Sequence, residues 1–323
     1  MVLTTSTALH GKIVTVFGGT GFLGRYIIAR LAKAGAVIRV ATRHPQSAYY
    51  LRTNGVVGQI VPVLSNYASA EEISRNVAGS DIVINCLGTL AETRRTKFSH
   101  LHTDVPQWIA QACAVSGVEK FIHISALGVE KSASSYAKTK VAGEKAVTAA
   151  YPQATILRPS ILFGPEDNFF NMFASMARVL PVLPLIGGGK TLFQPVYVGD
   201  VADAVLEVVI NPHTAGKTYE LGGPEILSFR EIYLRMFEQT GVKRLLVSLP
   251  WGIARLQAAV MSVLPKPPLT NDQITSLQTD SIVSASAHTL SDLKIQPTAL
   301  NSVLPGYLDK FRPGGRFAEK KRV

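Results

Sequence analysis

No aspartate or glutamate occurs among the first 70 residues of this chain, and the first acidic side chain is Glu71. Over all 323 residues, 33 lysines and arginines against 22 acidic residues give a formal net charge of +11. Such a charge indicates an anionic partner, for example a nucleotide, an acidic protein, a lipid surface or nucleic acid. Because no basic face rich in aromatic residues is evident, we do not expect nucleic acid to be the partner.

Cysteine is also scarce. Cys86 and Cys113 are the only two cysteines, and they lie far apart without paired spacing. This excludes a disulfide framework and a cysteine-based zinc site, and it is typical of a reducing compartment. The seven histidines form no ligand motif either, since a helix would point His100 and His102 apart. We therefore expect no bound metal.

Long apolar runs are absent. No stretch of about 18 uncharged apolar residues occurs, so we expect no membrane-spanning helix. The N-terminal residues MVLTTSTALHGK show neither the apolar run of a signal peptide nor the arginine-rich pattern of a transit peptide. We expect a protein that contacts a membrane only from its surface, on the cytoplasmic side of an inner membrane or the equivalent matrix side.

The first half of the chain alternates short runs rich in valine and isoleucine with helical patterns such as GFLGRYIIARLAKAG, which ends at a glycine. The runs predicted to be buried parallel strands are KIVTVF, VIRVAT, GQIVPV, DIVINC, KFIHIS and ATILRP. Strands that alternate with helices predict an α/β fold with a doubly wound parallel sheet, the NAD(P)-binding Rossmann fold.

The regular alternation of predicted strands and helices ends after Gly164. Residues 165–190 predict a helix followed by a loop rich in proline and glycine, and residues 191–210 predict a strand followed by a helix capped by Asp200. Most of the remainder is predicted to be helical, so we expect a smaller, mainly helical C-terminal lobe. We divide the chain into a Rossmann domain (11–163 with 191–223), a small substrate or partner lobe (164–190 with 224–310) and a basic tail (311–323).

Three glycines, Gly18, Gly21 and Gly24, directly follow the first predicted strand and open the first predicted helix. In this context the first glycine makes the tight turn, and the second lets backbone N–H groups approach a pyrophosphate. The third lets the helix pack against the strand. The strand, turn and helix together predict a dinucleotide-binding loop.

The end of the second predicted strand, VIRVATRHP, distinguishes NAD from NADP. An NAD site places a carboxylate there for the ribose 2′-hydroxyl, and none is present. Arg43, with Arg39 and His44 nearby, is suited instead to a 2′-phosphate, so we expect NADP(H). The fourth strand ends in DIVINCLGT, where Cys86, Leu87 and Gly88 are expected to line the nucleotide and Cys86 to act as a small apolar filler.

The motifs GxxGxxG, NCLG, YAKTK and RPSILFG occur in an order and spacing that resemble the extended and atypical branches of the short-chain dehydrogenase/reductase superfamily. The second half of the chain, including LPKPPLTNDQ and FRPGGRFAEKKR, resembles most the NADPH-binding accessory subunits of respiratory complex I (NADH:ubiquinone oxidoreductase) and their bacterial relatives. This resemblance implies a tightly held NADPH, a position on the peripheral arm near the membrane and the quinone site, and no demonstrated turnover.

The resemblance also assigns roles to single residues. In active members a tyrosine acts as general acid or base, a nearby lysine lowers its pKa and binds the nicotinamide ribose, and a serine orients the substrate. Tyr136 and Lys140 match the first two, but Ala126 stands where the hydroxyl is expected, and only Ser125 beside it offers a substitute. His102 falls near a position that often carries a structural asparagine. Tyr136, Lys140 and Ser125 are therefore either vestigial or orienting residues.

With the resemblance, the residues assigned to the nucleotide site are Gly18, Thr20, Gly21, Phe22, Leu23, Gly24, Arg43, His44, Cys86, Leu87, Gly88, Tyr136, Lys140, Pro159 and Ile161.

Two surfaces are candidates for partners. The segment SLPWGIARLQAAVMSVLP is apolar on most faces, which fits either a helix in the core of the small lobe or one that touches a membrane or a hydrophobic subunit. The basic tail suits docking to a partner or to anionic lipid.

The leading hypothesis is an NADP(H)-binding accessory subunit or assembly factor of a membrane-associated, quinone-reducing complex. The alternatives are an autonomous NADPH-dependent reductase or epimerase acting on a quinone- or isoprenoid-like substrate, a ubiquinone-biosynthesis factor and, less favoured, a redox-sensing regulator.

Overall fold

The computed structural model describes residues 8–93, 96–261 and 269–315. Its strands are β1 (Ile13–Phe17), β2 (Val37–Thr42), β3 (Ile60–Leu64), β4 (Ile82–Asn85), β5 (Lys120–Ile124), β6 (Thr155–Pro159), β7 (Leu162–Phe163), β8 (Val182–Ile186), β9 (Leu192–Phe193), β10 (Val196–Tyr197), β11 (Thr218–Leu221), β12 (Leu227–Ser228) and β13 (Leu245–Leu249). Its α-helices are α1 (Phe22–Lys33), α2 (Ala70–Val77), α3 (Val105–Val115), α4 (Ser135–Ala150), α5 (Phe170–Val179), α6 (Val198–Ile210), α7 (Phe229–Thr240), α8 (Trp251–Met261), α9 (Asn271–Ser276) and α10 (Leu300–Leu308).

Seven parallel strands form the main sheet in the order β11-β6-β5-β4-β1-β2-β3. All six runs predicted from the sequence are strands of this sheet, and β11 is the seventh, so the predicted Rossmann fold is confirmed. The chain winds outward from β1 in both directions. β1 and β4 are therefore neighbours whose following loops diverge, and such a switch point is where parallel sheets bind their ligands.

Helices cover both faces of the sheet, which is why its strands are mainly apolar. On one face, Ile27 and Leu31 of α1 pack with Val205 of α6 against the strands. On the other face, Ile73 of α2 and Ile109 of α3 belong to a second core. A sheet buried on both faces fixes its carboxyl edge firmly, so the loops at that edge start from rigid supports.

The smaller lobe has a core of its own, centred on aromatic side chains that include Phe163, Phe170, Phe229 and Tyr233. The segment predicted as a loop after α5 contains strand β8, which pairs in parallel with β13. Three buried side chains, Leu183, Leu185 and Ile186, hold this strand. Pro184 is tolerated because a two-stranded sheet leaves one edge of each strand unpaired.

Two details of the C-terminal half differ from expectation. Asp200 does not cap α6, because the helix begins at Val198 and the Asp200 carboxylate instead accepts hydrogen bonds from the Thr298 N–H and hydroxyl. Leu290 and Leu293, which the proposed division assigns to the small lobe, pack in the core of the sheet. The division into lobes stays a prediction, and we would move its boundary at this segment.

Among the helices in the described ranges, none combines the length and the apolar character needed to cross a bilayer.

Candidate functional site

The glycine-rich loop lies where β1 and β4 meet. Gly18 has a φ of +80°, a left-handed conformation that favours glycine. A β-carbon at Gly18 would lie 2.8 Å from the carbonyl carbon of Cys86 and 2.9 Å from the Leu87 nitrogen. The loop after β4 therefore packs directly on the loop after β1, and only glycine fits between them.

The third glycine sets the start of α1. A β-carbon at Gly24 would lie 2.6 Å from the α-carbon of Gly19, so the helix packs closely on the turn. Gly21 is the N-cap residue of α1, with no side-chain capping bond and no acidic residue in the first helical turn. The amino end of α1 thus presents its positive dipole to the loop, an arrangement that suits a pyrophosphate.

Arg43 and His44 follow β2 and are exposed. The His44 N–H donates to the Thr42 hydroxyl at 3.3 Å, which fixes the turn that carries both residues. Arg39 is different, because its guanidinium donates to the carbonyl of Ala78, the C-cap residue of α2, at 2.7 Å. The structure therefore removes Arg39 from the cationic group expected near a 2′-phosphate and leaves Arg43.

A second cation borders the same loop. The Arg25 guanidinium lies 5.7 Å from the centre of the Tyr50 ring, and its Nε donates to the Gly21 carbonyl at 3.4 Å. The Tyr50 hydroxyl donates to the carbonyl of Thr20 at 3.2 Å, which ties the 3₁₀ segment Pro45–Asn54 to the glycine loop. Arg25 therefore adds positive charge beside the loop.

Lys140 projects from α4 into the interior and is only 3% exposed. Its ammonium donates to the carbonyl of Ile124, at the end of β5, at 3.2 Å. Burial lowers the pKa of Lys140 to about 8, against a partial opposing effect of Glu144. A β-carbon at Gly88 would lie 3.7 Å from the Lys140 ammonium, so Lys140 faces the loop after β4.

Tyr136 lies one turn before Lys140 and is enclosed by aromatic rings. Its ring centre is 5.2 Å from that of His102 and 5.9 Å from that of Phe98, both in edge-to-face geometry. Burial raises the pKa of the Tyr136 phenol to about 12. At neutral pH this tyrosine is therefore protonated.

The chain matches a known family over the region that holds these residues. Residues 14–222 match the NAD dependent epimerase/dehydratase family. The chain belongs to this family. The matched range runs from β1 to the end of β11, and so it covers the whole main sheet and the loops at its carboxyl edge. Membership and fold make a nicotinamide dinucleotide the cofactor class of this site.

Curated relatives match almost the whole chain. The mitochondrial NADH dehydrogenase (ubiquinone) 1 alpha subcomplex subunit 9 of Arabidopsis thaliana is 36% identical over 322 residues, 96% of this chain and 80% of the relative. The rat protein of the same name is 34% identical over 298 residues, 91% of this chain and 79% of the relative. The NADH-ubiquinone oxidoreductase 40 kDa subunit of Neurospora crassa is 31% identical over 308 residues, 95% and 81% of the two chains. These relatives confirm the resemblance to respiratory-complex subunits.

Solved structures share the fold at lower identity. An NADPH-dependent quinone oxidoreductase from Escherichia coli, complexed with NADPH, aligns with a TM-score of 0.71 at 19% identity and covers 90% of this chain and 97% of its own. The triphenylmethane reductase of Citrobacter sp. aligns with a TM-score of 0.74 at 19% identity, covering 91% and 99%. At this identity the likeness supports the Rossmann fold alone.

The site has no serine at the position of the family pattern, where Ala126 stands, and Ser125 is the neighbouring hydroxyl. Ser125 is buried and its N–H donates to the carbonyl of Leu157 at 2.8 Å, but its hydroxyl has no partner among the described residues. His123, two residues earlier, shares this property: its Nδ1 lies 3.2 Å from the Asn85 amide, while Nε2 has no partner in the described ranges. A buried hydroxyl without a partner is the kind of group that a bound molecule satisfies.

His102 joins the loop after β4 to α4 through contacts that the sequence did not reveal. Its Nε2 accepts the Thr89 N–H at 3.2 Å, so its Nδ1 carries the proton and donates to the Thr139 hydroxyl at 3.2 Å. Burial, followed by the nearby Lys140 charge, lowers the pKa of His102 to about 3, which keeps the ring neutral. The ring also stacks on Phe98 at 5.1 Å. The available signal was the resemblance that places His102 near the structural asparagine of the family.

The close packing of His102 on α4 depends on Gly143. A β-carbon at Gly143 would overlap the carbonyl oxygen of His102, which lies in the π-helical turn His100–Asp104. The hydroxyl of Thr103, in the same turn, donates to the Thr139 carbonyl at 3.0 Å. The turn and the helix that carries Lys140 therefore form one unit.

The contacts above bring most of the assigned residues to one edge of the sheet. Cys86 is partly buried in the main core, burial raises the pKa of its thiol to about 12, and the thiol donates to the carbonyl of Phe17 at 3.0 Å. Phe22 packs near Gly164, whose β-carbon would lie 3.2 Å from the Phe22 ring. Leu23 is buried in the main core.

Two assigned residues lie on the link between β6 and the small lobe. Pro159 accepts the Leu127 N–H at 2.9 Å, and Ile161 packs against the small-lobe core. Their role at the nucleotide stays a prediction. No group of three or more histidine, cysteine, aspartate or glutamate side chains suited to a metal ion occurs within the described ranges.

Proposed function

We propose that this protein is an NADP(H)-binding accessory subunit, or an assembly and stability factor, of a respiratory NADH:quinone oxidoreductase, and that it has no turnover of its own. The observation that carries the proposal is the similarity of 96% of this chain to 80% of a protein named as a subunit of NADH dehydrogenase (ubiquinone). A relationship of that extent includes the small lobe as well as the nucleotide fold.

The nucleotide site has features that fit NADP(H). The glycine cradle would hold the pyrophosphate, Arg43 the 2′-phosphate, and Tyr136 with Lys140 the nicotinamide ribose. When bound, the cofactor supplies a hydride that can pass to an acceptor. The buried Ser125 hydroxyl, which lacks a partner in the described residues, offers a further hydrogen bond at the nicotinamide end. Arg43 favours NADP(H) over NAD(H), because no carboxylate follows β2.

Two features argue against turnover. The Lys140 ammonium is bonded to the Ile124 carbonyl. Ala126 offers no hydroxyl at the position where the family pattern places it. Together these residues are better suited to holding a nucleotide than to moving a proton.

The proposed place of the protein is at the membrane surface, on the cytoplasmic side of an inner membrane or the equivalent matrix side. Ile253, Leu256 and Val260 of α8 are apolar and exposed, and they offer a face for a neighbouring subunit or a lipid surface. Residues 262–268 and 316–323, which include most of the basic tail, lie outside the described residues.

The test is comigration. Membranes from cells that express a tagged form of this chain are solubilised gently and separated by native electrophoresis, and the gel is stained for NADH oxidation. We expect the tag to coincide with the band that oxidises NADH and reduces quinone. A tag that migrates alone, on a protein that washes off the membrane in low salt, contradicts the proposal.

An autonomous reductase is the second candidate, because Tyr136 and Lys140 are both present and the Ser125 hydroxyl is available. It predicts that the purified protein reduces a quinone or carbonyl compound with NADPH and that Tyr136→Phe abolishes the reaction. That result contradicts the proposal of a subunit without turnover.

Arg43→Ala should weaken NADPH binding about 10- to 150-fold, because one charge-assisted hydrogen bond contributes about 1.5–3 kcal/mol. NADH lacks the 2′-phosphate, so its affinity should stay within about twofold by the same reasoning. Titration calorimetry with both nucleotides measures the ratio.

The matched control is Arg39→Ala, which removes the same charge from the same region but whose guanidinium bonds the Ala78 carbonyl. This control should leave the NADPH to NADH ratio unchanged. If Arg43→Ala keeps the wild-type ratio of NADPH to NADH affinity, Arg43 does not bind the 2′-phosphate.

A further inference from the structure

The amino end of α4, which carries Tyr136 and Lys140, is held by a residue from the small lobe. The Asp272 carboxylate in α9 accepts the Ser135 N–H at 2.6 Å and the Tyr136 N–H at 3.0 Å. We propose that Asp272 is a positioning residue for the nicotinamide end of the nucleotide site, an inference that rests on the proposed function.

The contact of Asp272 with α4 is a helix cap made by a residue that is distant in the sequence. The N-cap residue of α4, Ser134, accepts the Ala137 N–H through its own side chain, which leaves the N–H groups of Ser135 and Tyr136 to another acceptor. The Asp272 carboxylate, which is distant in the chain, accepts the two N–H groups that precede the Ala137 N–H, those of Ser135 and Tyr136. A carboxylate at the amino end of a helix interacts favourably with the helix dipole as well as with the N–H groups. Asp272 therefore fixes the first turn of α4, where Tyr136 is located.

The next residue reaches the opposite wall of the site. The Gln273 side-chain amide donates to the carbonyl of Leu90 at 3.3 Å, in the loop after β4. The same loop contains Gly88, which faces Lys140, and Thr89, which donates to His102. Two consecutive residues of α9 thus hold both the helix and the loop between which the nicotinamide ribose is proposed to bind.

The start of α9 is itself rigid. Thr270 and Gln273 form a capping box, in which the Thr270 hydroxyl accepts the Gln273 N–H and the Gln273 side chain accepts the Thr270 N–H. Ile274 is fully buried against Ala254 and Ala258 of α8. Asp272 is therefore presented by a folded arm, α8 with α9, and not by a loose segment.

This arrangement couples the arm to the nucleotide. If the arm orders α4 and the loop for binding, the bound nucleotide must stabilise the docked arm by the same free energy, since coupling between sites is reciprocal. In a subunit without turnover, NADPH then acts by fixing the position of α8, whose exposed apolar residues are available to a partner.

The test compares NADPH with adenosine 2′,5′-bisphosphate, which carries the adenine, the 2′-phosphate and a 5′-phosphate but no nicotinamide ribose. Asp272→Ala should weaken the binding of NADPH about tenfold, which is the effect of losing a strong helix cap. The affinity for the bisphosphate should stay within about twofold of the wild-type value. It should also abolish the change in nicotinamide fluorescence that wild-type protein produces on binding. Asp272→Asn keeps one acceptor oxygen and should restore part of the affinity for NADPH. The control is Asp292→Ala, since Asp292 accepts the Thr289 N–H and hydroxyl and lies 3.6 Å from His288, all within its own turn.

The outcomes separate the two proposals. Equal weakening of both ligands in the Asp272 variants indicates general destabilisation and overturns the positioning role, as does unchanged NADPH binding. If Asp272→Ala does not fold, the same comparison of NADPH and bisphosphate affinity is made with Asp272→Asn. Wild-type protein that binds neither ligand overturns the proposed cofactor function itself, and the positioning role with it.

Discussion

Gly24→Ala should reduce NADPH affinity about 100-fold, since a badly tolerated methyl group costs up to about 3 kcal/mol. The new β-carbon would lie 2.6 Å from the Gly19 α-carbon and 2.8 Å from its carbonyl carbon. Both are backbone atoms, so no side chain can rotate away, and α1 itself must move off the turn. The displacement carries the amino end of α1 away from the pyrophosphate position.

The measurement is titration of the purified variant with NADPH, followed by intrinsic fluorescence, with circular dichroism as the check on folding. Gly252→Ala is the matched control, because a β-carbon there meets no atom of the described residues within 4 Å. That variant should bind NADPH like the wild type. A folded Gly24→Ala protein with wild-type affinity would show that the nucleotide does not sit on this loop.

The parts of the fold that the sequence predicted are those with local signals. A run such as IVTVF followed by glycines and then a helical pattern specifies strand, turn and helix within about 20 residues. The strand β8 was predicted as a loop, because Pro184 and the following glycines are breakers on their own. Only the distant partner β13 and the lobe core make the segment a strand.

The candidate site divides in the same way. Gly18, Gly24 and the Tyr136–Lys140 spacing are short-range patterns that a sequence displays. The roles of His102 and Asp272 depend on contacts between residues 37 and 136 positions apart in the chain. Nothing in the local sequence TNDQ indicates which helix Asp272 will cap. The retained Tyr136 was recognisable, but the rise in its pKa depends on the packing around it.

The side of α4 that faces the sheet contains a buried ion-pair network around Arg158 of β6. The Arg158 Nε donates to Glu144 at 3.0 Å, and its guanidinium also bonds Glu130 at 2.6 Å and lies 3.7 Å from Glu220. Burial alone lowers the pKa of Arg158, but the bonds to Glu144 and Glu130 raise it overall. Glu144 follows Lys140 by one turn, so this network anchors the helix that carries the site.

Arg158→Met should lower the free energy of unfolding by about 3–5 kcal/mol, because removing one partner leaves buried carboxylates without a counter-charge. The side chains of Glu144 and Glu220 are only 7% and 11% exposed, so water cannot replace the guanidinium. Urea denaturation at neutral pH measures the loss. The double variant Arg158→Met, Glu144→Gln should recover part of it, since the most buried charge is then neutral.

Arg235→Met provides the comparison, because Arg235 pairs with Glu225 at 2.9 Å where both side chains are 33% exposed. A pair of that kind contributes at most about 1 kcal/mol. If Arg158→Met cost no more than Arg235→Met, the buried network would not be what anchors α4. The position of Lys140 would then depend on the packing of α4 against α3 and on its contacts with His102 and Asp272.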